Sequence, residues 1–184
     1  MKIAVIAMGK IGLPLAVQFA EKGHDVIGVD VQQRVVDEIN KGNEPFPGEA
    51  FLDEKLKKLV PAGKLRATTD YAEAIPGADA VVMAAAPADF RPRSVSGAKI
   101  KKNDDGPAPI ALTTNPDILR GLVESRESGT IPSDVVIVGF AAETGDEQGG
   151  VLDHGRAKLR RKGCDLLVVN AVGDGKAFGT EDNT

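Results

Sequence analysis

Ala7-Met8-Gly9-Lys10-Ile11-Gly12 sets two glycines three residues apart directly after the apolar run Ile3-Ala4-Val5-Ile6. A glycine-rich turn between a strand and a helix leaves the backbone open to a diphosphate. The helix N-terminus behind it supplies unpaired N–H groups and the positive end of a dipole. A second apolar run ends in Val29-Asp30, about 20 residues on, where an acidic side chain can accept hydrogen bonds from a ribose. Gly9, Lys10, Ile11, Gly12 and Asp30 are therefore candidate dinucleotide ligands, with Asp30 favouring NAD over its 2′-phosphorylated form. Ala7 stands where that pattern has its first glycine, so the tight turn must form with a methyl group present.

A second group of chemically able residues lies beyond residue 84. Asp89, Phe140 and Asn170 each fall at or just past the end of an apolar run, the edge at which open α/β sheets bind ligands. Lys158 and Lys162 are four apart on a helical stretch, so both ammonium groups leave one face and can hold a nucleotide base or phosphates. Asp89 has the oxygen chemistry for Mg²⁺ on a triphosphate. Asn115 and Pro116 read as the cap and first residue of a helix. Arg91 and Arg93 read as surface charges, and His24 and His154 have no partner motif.

Positioning these residues requires apolar runs that alternate with amphipathic stretches, the pattern of βαβ units in a parallel sheet. Strands are expected at about 2–6, 25–30, 64–67, 79–85, 134–139 and 165–170, and helices near 32–41, 51–59, 71–75, 116–126 and 150–162. Before the second strand, Ile11, Leu15, Phe19, Ala16 and Ala20 form a stripe that can pack a first helix on the sheet. The expected fold is α/β: a Rossmann-like, doubly wound parallel sheet of about six strands in one domain of two halves, 1–83 and 84–184. Residues 86–114 break the alternation. Lys99 to Lys102, a turn at Asn103-Asp104-Asp105-Gly106, and Pro107 to Thr114 read as a protruding hairpin arm, about 97–114, of a kind that pairs with a second subunit. A solvated charged loop is the alternative.

Composition limits the partners. The 184 residues are 42% hydrophobic and 27% charged, enough apolar material for one core. The net charge of −4 is shared evenly, with 10 basic and 12 acidic residues over 1–85 and 13 and 15 over 86–184. Neither half is a basic nucleic-acid surface, and aromatics at 4% leave little for stacking bases. No apolar run approaches the roughly 20 residues of a membrane span. One Cys allows no internal disulfide, and the N-terminus enters a strand without a leader, so a cytoplasmic protein is expected.

Two resemblances sharpen these readings. Gly12-Leu13-Pro14-Leu15-Ala16, Gly28-Val29-Asp30, Glu38 to Gly42, Leu65 to Asp70 and Gly77-Ala78-Asp79-Ala80 make residues 1–83 similar to the NAD-binding start of the UDP-sugar 6-dehydrogenases. That family's catalytic Cys loop has no counterpart here. Cys164, between a helix and a strand with no activating His, reads as a structural thiol, so dehydrogenase activity is not expected.

Residues 84–184 resemble instead phosphopantothenoylcysteine synthetase, the CTP-dependent phosphopantothenate–cysteine ligase of coenzyme A synthesis. The likeness rests on Ala88-Asp89-Phe90-Arg91-Pro92, Lys99 to Lys102, Asn115 to Leu119, Gly139 to Thr144, Ala157-Lys158 with Lys162, and Asp165 to Asn170. It implies a CTP site at Met83, Ala84, Ala85, Asp89, Lys99, Pro116, Asp117, Ile118, Leu119, Phe140, Lys158 and Lys162, with Mg²⁺ at Asp89 and Lys99 neutralising phosphate charge as the catalytic residue. It also implies 4′-phosphopantothenate as a partner, while the arm at 99–114 is expected to join a homodimer. The ligase family's own first half, which holds phosphopantothenate, is replaced here by the dehydrogenase-like segment. Both patterns are satisfied by Ala78-Asp79-Ala80-Val81-Val82-Met83, which suggests a hybrid, engineered or recombined, with CTP binding retained and turnover doubtful. A bare NAD-binding module and a catalytically silent scaffold are the alternatives.

Overall fold

The computed structural model describes residues 1–46, 48, 51–99 and 109–172. Its centre is a six-stranded sheet of β1 (Lys2–Ile6), β2 (Asp25–Val29), β3 (Leu65–Thr68), β4 (Ala80–Met83), β7 (Val136–Glu143) and β8 (Leu166–Ala171). The order is β3-β2-β1-β4-β7-β8 and every pairing is parallel. That is the doubly wound order, and the sheet runs unbroken across the change of resemblance because β4 pairs with β1 on one side and with β7 on the other.

Register explains why ligand-competent residues meet. Thr68, Val29, Ile6, Met83, Gly139 and Leu167 form one row across the sheet. Ala7, Asp30 and Ala84 follow that row directly, at one edge. β7 runs on to Glu143, four residues past the end expected from sequence, and pairs with β8 as far as Ala171. Phe140 and Asn170 thus lie inside strands and not at their ends. The extension runs past the last residue of β4 paired with β7, Met83.

Helices cover the sheet on both sides. Ile3, Val5, Val26 and Val82 pack with Leu13, Ala16 and Val17 of α1 (Gly12–Glu21), Val35, Val36 and Ile39 of α2 (Gln33–Asn40), and Leu52 and Leu56 of α3 (Leu52–Leu59). Ala4, Ile6, Val81 and Ile137 pack with Ala74 of the short α4 (Tyr71–Ala74) and with Leu119, Leu122 and Val123 of α5 (Ile118–Glu127). Residues of alternate parity in one strand serve the two cores, as a sheet buried on both faces requires. The α1 stripe differs from expectation. Gly12, Leu13, Ala16, Val17 and Ala20 are buried, while Ile11 is 48% exposed at the cap position. Small residues at 12, 16 and 20 bring the helix axis close to the sheet, and Leu13 and Val17 flank that line.

At the base of the expected arm a two-stranded antiparallel ribbon joins β5 (Phe90–Pro92) to β6 (Leu112–Thr114), a pairing not expected from sequence, while residues 100–102 of the expected first strand fall outside the described residues. The pairing is held locally: Arg91 donates to the Thr114 carbonyl (3.2 Å) and to Asn115 Oδ1 (2.7 Å), which fixes 90–92 against 112–114. Lys99 lies outside any strand, and the expected turn at 103–106 falls outside the described residues. No helix among the described residues is long and apolar enough to cross a membrane.

Candidate functional site

The β1–α1 turn forms despite Ala7, which takes a left-handed φ of 72° and donates its N–H to Val29 O (2.7 Å). A Cβ on Gly12 would drive far into the Ala7 carbonyl, so glycine is obligatory there. A Cβ on Gly9 would meet nothing within 4 Å, which leaves the cradle open for a diphosphate. Asp30 is buried and its carboxylate is built into the turn, accepting from Met8 N (2.9 Å) and Gln32 N (2.9 Å). The free lone pairs of a carboxylate still suit a ribose diol. Lys10 is exposed before α1, where no side chain caps the helix. A small hollow of about 70 Å³ adjoins this loop, lined by Gly9, Lys10, Leu13 and Phe46. These residues fit the diphosphate and ribose of a dinucleotide.

On the far side of β4 a cleft of about 340 Å³ opens at the same edge. Its floor and walls come from separate segments: Met83 and Ala85 to Asp89 after β4, Thr114 to Leu119 entering α5, Phe140 to Ala142 on β7, and Lys158, Arg161 and Lys162 on α6 (Val151–Lys162). Of the residues singled out from sequence, Met83, Ala85, Asp89, Pro116, Asp117, Ile118, Leu119, Phe140, Lys158 and Lys162 meet here. Ala84 does not, since its methyl turns toward Gly12 on the other side of the sheet. Lys99 and Asn170 are likewise not among the cleft's lining residues.

Two of the cleft's three cations are already paired. Lys162 is hydrogen-bonded to Asp117 Oδ2, and Lys158 lies against Glu143 Oε1. That glutamate oxygen has no aligned hydrogen-bond donor among the described residues, so the contact is a bare ion pair. Burial pushes the Asp117 carboxyl up, but hydrogen bonds from Lys162 and the Arg120 N–H, with the charges of Lys162 and Arg161, outweigh it and hold it below its ordinary 3.8. An incoming phosphate or carbonyl oxygen would take over donors that the two carboxylates now hold.

Asn115 has a different role from the one its position suggested. The cap of α5 is Asp117, which accepts from Arg120 N (3.1 Å). Asn115 instead donates to Ala88 O (2.6 Å), and its own N–H reaches Asp89 O (2.8 Å). It ties the loop after β4 to the entry of α5, the two lips of the cleft. Arg161 and Glu143 were not singled out from sequence. Arg161 was legible there, because residues 158, 161 and 162 share one helical face. Glu143 shows only once β7 is seen to run past Phe140.

Among the residues lining the cleft, Asp89 is the one acid outside the Lys162 pair. No group of three or more metal-ligating side chains occurs among the described residues. A single carboxylate fits Mg²⁺ when a triphosphate supplies further oxygens. His154 contacts Asp146 Oδ1 (2.9 Å) in the loop before α6, away from the cleft lining. Cys164 is buried, and burial pushes its thiol up, away from a reactive thiolate. A further cavity of about 310 Å³, lined by Lys2, Asp25, Arg66 and Gly77, opens at the strands' N-terminal edge, opposite the ligand edge of such sheets.

Fold and site define an α/β protein of the Rossmann-like class, with two candidate half-sites flanking one strand. The family model described as "DNA/pantothenate metabolism flavoprotein C-terminal domain" matches residues 54–184, and the chain belongs to that family. A second model, the NAD-binding domain of the UDP-glucose/GDP-mannose dehydrogenase family, matches residues 1–90.

The chain is 62% identical over 108 residues to the coenzyme A biosynthesis bifunctional protein CoaBC of Mycobacterium bovis, over 59% of this chain and 26% of that protein. It is 44% identical over 176 residues to CoaBC of Mycolicibacterium smegmatis, over 95% of this chain and 39% of the relative. GDP-mannose 6-dehydrogenase of Pseudomonas savastanoi pv. phaseolicola is 43% identical over 79 residues, 43% of this chain and 18% of that protein. The chain thus spans about a quarter to two-fifths of the length of its CoaBC relatives. In fold it is similar to the solved UDP-D-ManNAc dehydrogenase of Pyrococcus horikoshii, with TM-score 0.53 and 21% identity over 94% of this chain and 36% of that one.

Proposed function

We propose that the chain is a nucleotide-binding protein of coenzyme A biosynthesis that holds CTP, with Mg²⁺ on Asp89, in the cleft between β4, α5, β7 and α6. The observation that carries this reading is the gathering of Asp89, Pro116 to Leu119, Phe140, Lys158 and Lys162 around one opening at the sheet's ligand edge. In the reaction such a site serves, a carboxylate of 4′-phosphopantothenate attacks the α-phosphate of CTP, forming an acyl-cytidylate and releasing pyrophosphate. The amine of cysteine then displaces CMP. The two lysines and Arg161 would hold phosphate and base oxygens, and Lys99 would approach from the arm to offset charge developing in transfer.

Binding is retained and turnover is slight, because the dehydrogenase-like first half replaces the segment that would seat phosphopantothenate, and catalysis tolerates far less misplacement than binding. A hybrid origin, a homodimer joined through the arm and a cytoplasmic setting belong to the same proposal. Calorimetry with CTP and Mg²⁺ tests it. Saturable binding that weakens at least tenfold in Lys158→Ala is expected, and no binding to the wild-type chain would reject it.

NAD binding at Gly9, Gly12 and Asp30 is a second reading, favoured by the open cradle at Gly9. An NAD titration unchanged by Asp30→Ala would count against it.

A further inference from the structure

We infer that NAD and CTP exclude one another on this chain, so that a nicotinamide dinucleotide regulates access to the CTP cleft. The inference rests on the CTP and NAD readings above and adds their coupling.

The two half-sites share a wall. Gly12 packs against Ala84, whose methyl lies 3.4 Å from the position of a Gly12 Cβ. The next residues, Ala85 to Asp89, line the CTP cleft. Ala84 also donates its N–H to Ile6 O (3.1 Å), which locks the end of β4 to the strand that leads into the glycine turn. In this sheet order the crevice at the switch point lies between β1 and β4, where a dinucleotide crosses from one half of the sheet to the other. With its adenosine at Asp30 and its diphosphate on Gly9, the second nucleoside of the dinucleotide must leave across the ends of β1 and β4. The segment it meets there is 84–89.

That segment is tied at its far end to the entry of α5. Asn115 clamps it through Ala88 O (2.6 Å) and Asp89 O (2.8 Å). Charge acts in the same direction: a diphosphate on one side of the wall and a magnesium triphosphate on the other place like charges along one short edge. The cleft's cations, Lys158, Arg161 and Lys162, all stand on α6.

Competition calorimetry decides the matter. CTP with Mg²⁺ is titrated into the free chain, into the chain saturated with NAD, and into Gly9→Val in the presence of NAD. The open space around Gly9 lets that variant fold while its side chain fills the diphosphate approach. The apparent Kd for CTP is expected to rise at least tenfold with NAD on the wild type and to be unmoved by NAD on Gly9→Val. Equal CTP affinity with and without bound NAD, meaning a ternary complex, overturns the inference and leaves both binding readings intact. Failure of NAD to bind overturns the inference and the NAD reading while the CTP reading stands. Failure of CTP to bind the free chain overturns it together with the main reading.

Discussion

Ala7 carries the cost of the glycine turn, since a non-glycine residue at φ 72° loses about 1 kcal/mol or more to the clash of its Cβ with the backbone. Ala7→Gly is expected to raise the melting temperature by about 2–4 °C. Gly12→Ala is expected to cost about 3 kcal/mol, the top of the overpacking range, because backbone and not a mobile side chain stands in the way. Thermal unfolding of the two variants checks both. Asp117 gives a pH prediction. Its carboxyl is held below 3.8, so the stabilisation from its Lys162 pair is fully present above that pH and is lost as pH falls through the lowered value. Carboxyl NMR of Lys162→Met should show Asp117 titrating higher than in the wild type. The glycine turn and Asp30 were legible from residue type alone. The cap of α5 was not, because Asn115-Pro116-Asp117 offers two capping side chains two residues apart. Only the tertiary pull of Ala88 O on Asn115 separates them.

At the scale of elements, the cleft depends on two lips joined by one side chain. Asn115→Ala removes the tie to Ala88 and is expected to weaken CTP binding about tenfold with only a small fall in melting temperature, since the residue is half-buried and its tie joins two loops rather than core elements. On the opposite side, Asp165 fixes the start of β8 by accepting from Ile137 N (2.8 Å) and Arg126 (2.5 Å). Asp165→Ala should cost about 1 kcal/mol in urea unfolding, a modest value because the carboxylate is partly exposed. Hydrophobic alternation located every strand of the sheet, for a buried parallel strand reads as an apolar run. It missed the ribbon's first strand, because Phe90-Arg91-Pro92 is too short and mixed to show a period and is held by Arg91 across the chain.

Across the whole molecule, β4 belongs to both halves, hydrogen-bonded to β1 and β7 in one register row. A sheet joined in this way should unfold in a single cooperative step with coincident transitions by different probes, whereas two separable transitions would mean two independent halves. The two family matches overlap at 54–90, the stretch that contains this shared strand. The central claim is that the cleft beside that strand takes a magnesium nucleoside triphosphate. Amide chemical-shift mapping during a CTP and Mg²⁺ titration tests it most directly. Saturable shifts concentrated at 85–89, 114–119, 140–142 and 158–162 are the predicted result. The account is contradicted if millimolar CTP moves no resonances, or moves those around Lys2, Arg66 and Gly77 at the opposite edge.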